Sequence, residues 1–240
     1  MPWDEFLRQV RRYQSELRGD DPLAPIWYRG QRQSEWPLQP SLFRGSGSSE
    51  KQIYRDFIRH AARVGPQRGD AWETLFDMQH HFLPTRLLDW TETFGVALFF
   101  AIQSEPPREA AIYLLQPQRL NRERDVWTPA DLGLDYMKHY VLAPVGDDET
   151  VPIAVEAPFQ NDRMFAQRSV FTVHRRTDKP HDQWNDAVRR VPLPADAFAE
   201  AKVFLGDANI TAFTLFPDVA GFARFMRRKV NLPDDPMPFV

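Results

Sequence analysis

The sequence predicts an α+β fold in a single domain, with N-terminal helices packed on a mixed or antiparallel sheet. Helical periodicity dominates the first hundred residues, and the β-branched and aromatic runs cluster after them. No linker long enough to separate two domains is visible in the 240 residues. We therefore expect one domain over 1–240, with a helical part at about 1–25 and 48–104 and a strand-rich part at about 105–240.

The helices are predicted from periodic apolar residues and from residues that favour helix starts. Residues 1–17 have helical spacing, and Asp4 can cap that helix. Residues 94–102 are apolar almost all round, which indicates a buried helix, and Asp89 or Thr91 can cap its N-terminus. Further helical patterns occupy residues 50–64, roughly 70–82, roughly 195–205 and a segment that starts at Pro217-Asp218.

The strands are predicted from β-branched and aromatic runs. "IWYRG", residues 26–30, indicates a short strand that ends at Gly30, and "PLQPSLFR", residues 37–44, reads as extended chain. Further strands are predicted at 110–117, 150–158 and 169–176, with a short one at 210–216.

Composition and charge exclude several classes of protein. The net charge of −3 disfavours nucleic acid as a main partner. The chain has no Cys, hence no disulfide, no thiol nucleophile and no cysteine-ligated metal, and its six His are scattered, so we expect no metal site. It has neither an apolar N-terminal signal nor a run that could span a bilayer. We expect a cytoplasmic protein, or one exported by a signal-independent route, with no membrane partner.

Five blocks in one order resemble the FRG domain, a bacterial family named after an aromatic-Arg-Gly tripeptide. They are "WYRGQ" at 27–31, "LQPSLFR" at 38–44, "QHHFLPTRLLDWTETFGVALFFA" at 79–101, "RMFAQRSVFTVH" at 163–174 and "TLFPDVAGFARF" at 214–225. The resemblance identifies Arg29 as the eponymous arginine and places Arg44 in another block. Members tend to have Gly where this chain has Phe82, and within "AQ-x-G-x-F", where it has Ser169-Val170.

A second likeness concerns activity. A strand that ends in aromatic-Arg-Gly, followed by a Thr-bearing segment and an apolar helix, is similar to the NAD-binding layout of the arginine-serine-glutamate ADP-ribosyltransferases. That resemblance implies NAD as substrate without a metal, and ADP-ribosyl transfer or NAD cleavage in a toxin or phage-defence effector. A macromolecular target or a neutralising protein would be its partner. The alternative is a non-catalytic module that senses a nucleotide or a partner protein.

Arg29 is the first candidate site residue. It ends an apolar strand beside Gly30, where a ligand can approach, and its guanidinium can bind a phosphate through two parallel hydrogen bonds. The alternative is a buried arginine that pairs with an acid for structural reasons.

The segment 85–91 is the second candidate. A helix N-terminus attracts anions, Arg86 adds a full charge, and the hydroxyls of Thr85 and Thr91 can contact ribose or phosphate. Asp89 would cap the helix while it pairs with Arg86 or Arg29. A capped helix with a structural ion pair explains the same residues.

The third candidate is a group that could act on the ribose. ADP-ribosyl transfer needs a carboxylate that stabilises an oxocarbenium-like centre, and Glu156 is the only acid within its apolar strand. Gln167 is the alternative polar group, and His80 is a candidate hydrogen-bonding residue. We expect the pocket at the Arg29 strand end, 85–91 and 167–171. Its expected lining also includes Tyr28, Gly30, Gln31 and Phe171.

Overall fold

A computed structural model describes residues 2–44, 49–61, 70–103, 108–122, 126–127, 151–174, 181–184 and 186–230. Within them, six strands form one antiparallel sheet flanked by helices, which confirms the α+β prediction. The strands are β1 (Trp27–Gln31), β2 (Leu87–Thr91), β3 (Ala110–Leu115), β4 (Ile153–Val155), β5 (Ser169–Val173) and β6 (Val188–Leu193).

The strand order is β4-β5-β2-β1-β3-β6, and every neighbouring pair is antiparallel. β1 and β2, which carry the predicted site residues, therefore lie at the centre of the described sheet. Tyr28 lies opposite Thr91, and Asp89 lies opposite Phe171. The two parts of the chain that the sequence separates, helical and strand-rich, thus share a single sheet.

Helices connect and flank the strands. They are α1 (Pro2–Arg18), α2 (Ser41–Arg44), α3 (Glu50–Ala61), α4 (Ala71–His80), α5 (Phe94–Ala101), α6 (Pro117–Leu120), α7 (Asp162–Ala166), α8 (Phe198–Asp207), α9 (Ala212–Leu215) and α10 (Val219–Lys229). Short 3₁₀ turns occupy His181–Gln183 and Ala195–Ala197. Among the described residues, no helix combines the length and the apolar character needed to cross a bilayer.

α5 is apolar all round because it is packed on every side. It contacts β1 and lies in one core with residues of α1, β3 and α8. Gly30 permits the close approach of β1, since a Cβ there would come within 1.9 Å of the carbonyl oxygen of Ala97. The backbone next to Arg29 is therefore held firmly against the core.

Several local predictions are wrong. Residues 41–44 form α2 and are not extended, and 212–215 form α9 where a strand was predicted. Asp4 lies inside the first turn of α1 and does not precede it as a cap.

The most consequential error concerns residues 87–91, which form β2 and not the start of a helix. α5 begins only at Phe94, with Thr93 at its N-cap and no side-chain capping bond. Its buried apolar packing stabilises it without the cap that the sequence suggested at Asp89 or Thr91.

Candidate functional site

A cavity of about 340 Å³ opens beside β1 and β2, where the sequence predicted the pocket. Its charged lining consists of three arginines and one aspartate. These are Arg29, Arg44, Arg163 and Asp89. Polar side chains on the lining are Tyr28, Ser41, Gln79, Thr91, Gln167 and Ser169, and larger apolar ones include Phe82, Leu88, Trp90 and Phe100.

Arg29 points from β1 into this cavity. One terminal nitrogen, Nη1, donates to the backbone carbonyl of Asp89 at 2.6 Å, and the buried Nε has no hydrogen-bond partner among the described residues. Burial lowers the pKa of Arg29 to about 10, and the charge of Asp89 opposes that shift. The guanidinium thus carries donors that the described protein leaves unsatisfied.

Arg44 reaches the same cavity from α2. Its Nε donates to the carbonyl of Gln39 at 3.0 Å, and its side chain is more exposed than that of Arg29. Burial lowers the pKa of Arg44, and Asp89 again opposes the shift. Arg44, which the sequence placed in a different block from Arg29, therefore lines the same cavity.

Arg163, on α7, was not predicted as a site residue. Its guanidinium lies 4.4 Å from the ring centre of Phe82 and 4.8 Å from that of Phe216, and Nη1 donates to the carbonyl of His80 at 3.3 Å. Burial lowers the pKa of Arg163. The two rings hold the cation in place, and no carboxylate of the described residues hydrogen-bonds to it.

Asp89 supplies the one carboxylate on the described lining. Its Oδ2 accepts a hydrogen bond from Nε2 of Gln79 at 2.7 Å, and Oε1 of Gln79 accepts from the hydroxyl of Thr85 at 2.5 Å. Thr85 is itself fully buried and does not line the cavity. Its part is to orient Gln79, which in turn orients Asp89.

Six predicted residues do line the cavity together: Tyr28, Arg29, Gly30, Asp89, Thr91 and Gln167. The hydroxyl of Thr91 donates to the carbonyl of Gln167 at 2.7 Å, and Nε2 of Gln167 donates to the carbonyl of Leu215 at 3.0 Å. These bonds tie β2, the end of α7 and α9 into one wall.

Arg86 has the structural role that the sequence left open. Its Nε donates to Oε2 of Glu50 at 2.5 Å, its backbone N–H donates to Oε1 of the same residue, and both side chains are buried. Arg86 does not pair with Asp89 and does not line the cavity. The expected ion pair between Asp89 and Arg86 is therefore wrong.

The remaining predicted residues lie off the lining. Gln31 is buried and donates to the carbonyl of Pro37, Phe171 packs on Phe76, and His80 contributes its backbone carbonyl to Arg163. Glu156 is exposed just beyond β4, where burial and then the charge of Glu92 raise its pKa. A catalytic role for Glu156 stays a prediction, and its place outside the cavity lining does not favour that role.

Among the cavity residues that were not predicted, Phe82 has the strongest signal in the sequence. Its φ of 61° lies in the left-handed region that favours glycine, which is what family members tend to have there. In this chain the strained position places a phenyl ring on the cavity wall and against Arg163.

Comparison with known proteins supports the resemblance that the motifs indicated. Residues 24–110 match the family model of the FRG domain, the family that the motifs indicated. The matched segment contains Arg29, Arg44 and Asp89, whereas the blocks at 163–174 and 214–225 lie outside it. Neither a curated protein nor a solved structure matches the chain.

Proposed function

We propose that the cavity binds a phosphorylated nucleotide, with NAD as the leading candidate. One observation carries the proposal: Arg29, Arg44 and Arg163 line the same cavity, and their hydrogen bonds within the described residues go to backbone carbonyls. Burial of a cation such as Arg29, which has no carboxylate ligand among the described residues, is costly. Phosphate oxygens offer a guanidinium group both charge and hydrogen-bond acceptors.

The rest of the lining suits the other parts of a nucleotide. The volume of about 340 Å³ is within the range of small-molecule pockets, about 300–1,000 Å³. Trp90, Val96 and Phe100 offer apolar surface for a base. Asp89 can accept a hydrogen bond from a ribose hydroxyl, and Gln167 lies on the same lining.

ADP-ribosyl transfer or NAD cleavage is the catalytic form of this proposal, in a toxin or defence effector. The bond between ribose C1′ and the nicotinamide nitrogen breaks, and the electron pair leaves with nicotinamide. Water or a nucleophile on a target macromolecule then bonds to C1′ and releases a proton. In this form Asp89 stabilises the positive charge that develops on the ribose, Arg29 holds phosphate and Gln167 orients the ribose.

A non-catalytic module that senses a nucleotide is the second candidate. The position of Glu156 outside the cavity favours it, because Asp89 is then the only carboxylate on the described lining and already accepts a bond from Gln79. Phosphate binding by the three arginines is common to both candidates.

Calorimetric titration with NAD and ADP tests binding, and incubation with NAD and cell lysate tests turnover. We expect measurable affinity for both nucleotides, and for an enzyme also nicotinamide release or labelled ADP-ribose on a macromolecule. Arg168→Gln is a matched control, since Arg168 lies on the surface near Glu92 and off the lining. Binding without turnover would select the sensing module, and absence of nucleotide binding would refute the proposal.

A further inference from the structure

The cations of the cavity come from elements on the two sides of β2. Arg29 projects from β1, and Arg163 belongs to α7, which leads directly into β5. β2 lies between those two strands in the sheet. Two strand spacings of about 4.8 Å therefore separate the backbone that carries Arg29 from the strand that follows Arg163, roughly 10 Å in all.

The charges that act on Arg29 and on Arg163 differ, except for Asp89. After burial, the pKa of Arg29 is affected by Asp89 and then by Arg44. The pKa of Arg163 is affected, after burial, by Asp89 and then by Arg224. Asp89 is the one charge of the lining that acts on both, which is consistent with its place on the strand between them.

The position of Arg163 is built independently of the other two arginines. Phe82 and Phe216 enclose its guanidinium on two sides, and the carbonyl of His80 fixes one nitrogen. Phe82 reaches it only from a left-handed backbone conformation that disfavours a phenyl side chain. A strained residue on the wall indicates that the Arg163 side of the cavity has a structural requirement separate from that of the Arg29 side.

Asp89 determines which chemical group of a ligand can lie between Arg29 and Arg163. Its exposed carboxylate repels an anionic group and accepts a hydrogen bond from a hydroxyl. A ligand that places one continuous chain of phosphates across the cavity would bring negative charge against it. A ribose with phosphates on either side presents its hydroxyl there instead.

We infer that the cavity takes nucleotides phosphorylated at two separate places, one group on Arg29 and Arg44 and the other on Arg163, with a ribose hydroxyl on Asp89. This inference rests on the proposed function and narrows its ligand class. For dinucleotides it favours a ribose that carries an additional phosphate, as in NADP, over NAD.

Two isomeric probes test it: ADP, with both phosphates on one ribose carbon, and adenosine 3′,5′-bisphosphate, with one on each of two carbons. They share base, sugar and number of phosphates. We expect the bisphosphate to bind at least about tenfold more tightly in calorimetric titration, the effect of one charge-assisted hydrogen-bonded contact. NADP and NAD should differ in the same direction.

Variants assign the preference to a residue. Arg163→Gln should reduce bisphosphate affinity about tenfold or more while ADP affinity stays within twofold, so that the preference disappears. Arg29→Gln should weaken both probes. Arg168→Gln, five residues from Arg163 and off the lining, should change neither. A thermal melt of each variant, and Arg163→Lys as a second variant that keeps the charge, separates loss of fold from loss of the contact.

The possible results distinguish the inference from the function on which it rests. ADP binding as tight as the bisphosphate in the parent protein, or equal losses for both probes in Arg163→Gln, would overturn the inference and leave the nucleotide site intact. Binding of neither probe would refute the nucleotide site itself.

Discussion

Arg29 and Arg86 are two enclosed arginines of the same region that differ in what neutralises them. Arg86 has both oxygens of the Glu50 carboxylate within hydrogen-bond distance of its own donors. Arg29 donates to a backbone carbonyl, and its Nε has no partner in the part of the chain that the structure describes. The first arrangement is complete without a ligand. The second leaves a donor that the proposed phosphate could fill. The partner of a buried arginine therefore distinguishes a structural ion pair from a candidate binding residue.

The largest effect is expected at the buried ion pair between Glu50 and Arg86. Glu50→Ala should lower the free energy of unfolding by about 3–5 kcal/mol, because it leaves the buried charge of Arg86 without a partner. Urea denaturation measures the loss. The double variant Glu50→Leu with Arg86→Met should recover much of it. Glu5→Ala, which removes the exposed Glu5–Arg8 pair, is the control and should leave unfolding unchanged.

The next effect concerns the carboxylate of the cavity. If the protein cleaves NAD, Asp89→Asn should reduce turnover about 10²–10³-fold, since it removes the charge that stabilises the developing cation. Glu156→Gln, at an exposed position off the lining, should keep turnover within a few-fold. Nicotinamide release measures both. The opposite ranking would return the catalytic part to Glu156 and detach the chemistry from this cavity.

Burial of His174 gives the stability of the protein a pH dependence. Its backbone N–H donates to the carbonyl of Arg86, yet after burial the charge that lowers its pKa, to about 3, is that of Arg29. In the unfolded chain the imidazole takes up a proton near pH 6.5, while in the folded protein it stays neutral. Stability is therefore complete above that pH and falls below it, by about 2 kcal/mol at pH 5.

Denaturation at pH 7 and pH 5 measures this acid sensitivity. His174→Gln should flatten the difference between the two pH values, whereas His60→Gln, at an exposed position of α3, should leave it as in the parent protein. An unchanged pH dependence in His174→Gln would show that other groups cause the acid loss.

Arg29→Lys is expected to separate affinity from stability. Lysine keeps the charge but loses the fork that makes two parallel bonds to a phosphate, so ADP affinity should fall about tenfold. The melting temperature should stay close to that of the parent, because no internal ion pair is broken. A large loss of stability without loss of affinity would place Arg29 in the same structural class as Arg86.

Arg44→Lys should give the smallest effect, a reduction of ADP affinity of a few-fold. Arg44 lines the cavity from α2 but is more exposed than Arg29, so water competes more effectively for its contacts. The same titration measures it. Equal losses at both positions would show that the two arginines bind the phosphate as a pair.

The sequence predicted those features that local composition controls. The apolar run of 94–102 became α5, and the β-branched runs became β3, β4 and β5. β6 was missed because two arginines and Pro192 interrupt its apolar alternation. Residues 87–91 were misread because Asp89 and Thr91 are good capping residues, whereas pairing with β1 and β5 decides that they form a strand.

The sequence predicted those cavity residues that their own segment suggests. It missed a residue whose position depends on distant segments. Arg29 and Asp89 could be found from their place in the chain. Arg163 could not, because its position depends on Phe82 and Phe216, which lie far from it in sequence. Which of Arg29 and Arg86 has a carboxylate partner depends likewise on Glu50, a contact that no local pattern contains.

The strand order has a consequence for the protein during its synthesis. β1 is made first and lies at the centre, and its two neighbours, β2 and β3, are the next strands in the chain. A nascent chain that has emerged through β3 carries Arg29, Arg44 and Asp89 but not yet α7, β5 or α9. The far wall, with Arg163 and Gln167, is added last, so a ribosome-bound or prematurely terminated chain exposes the cationic strand without the enclosure that completes the cavity.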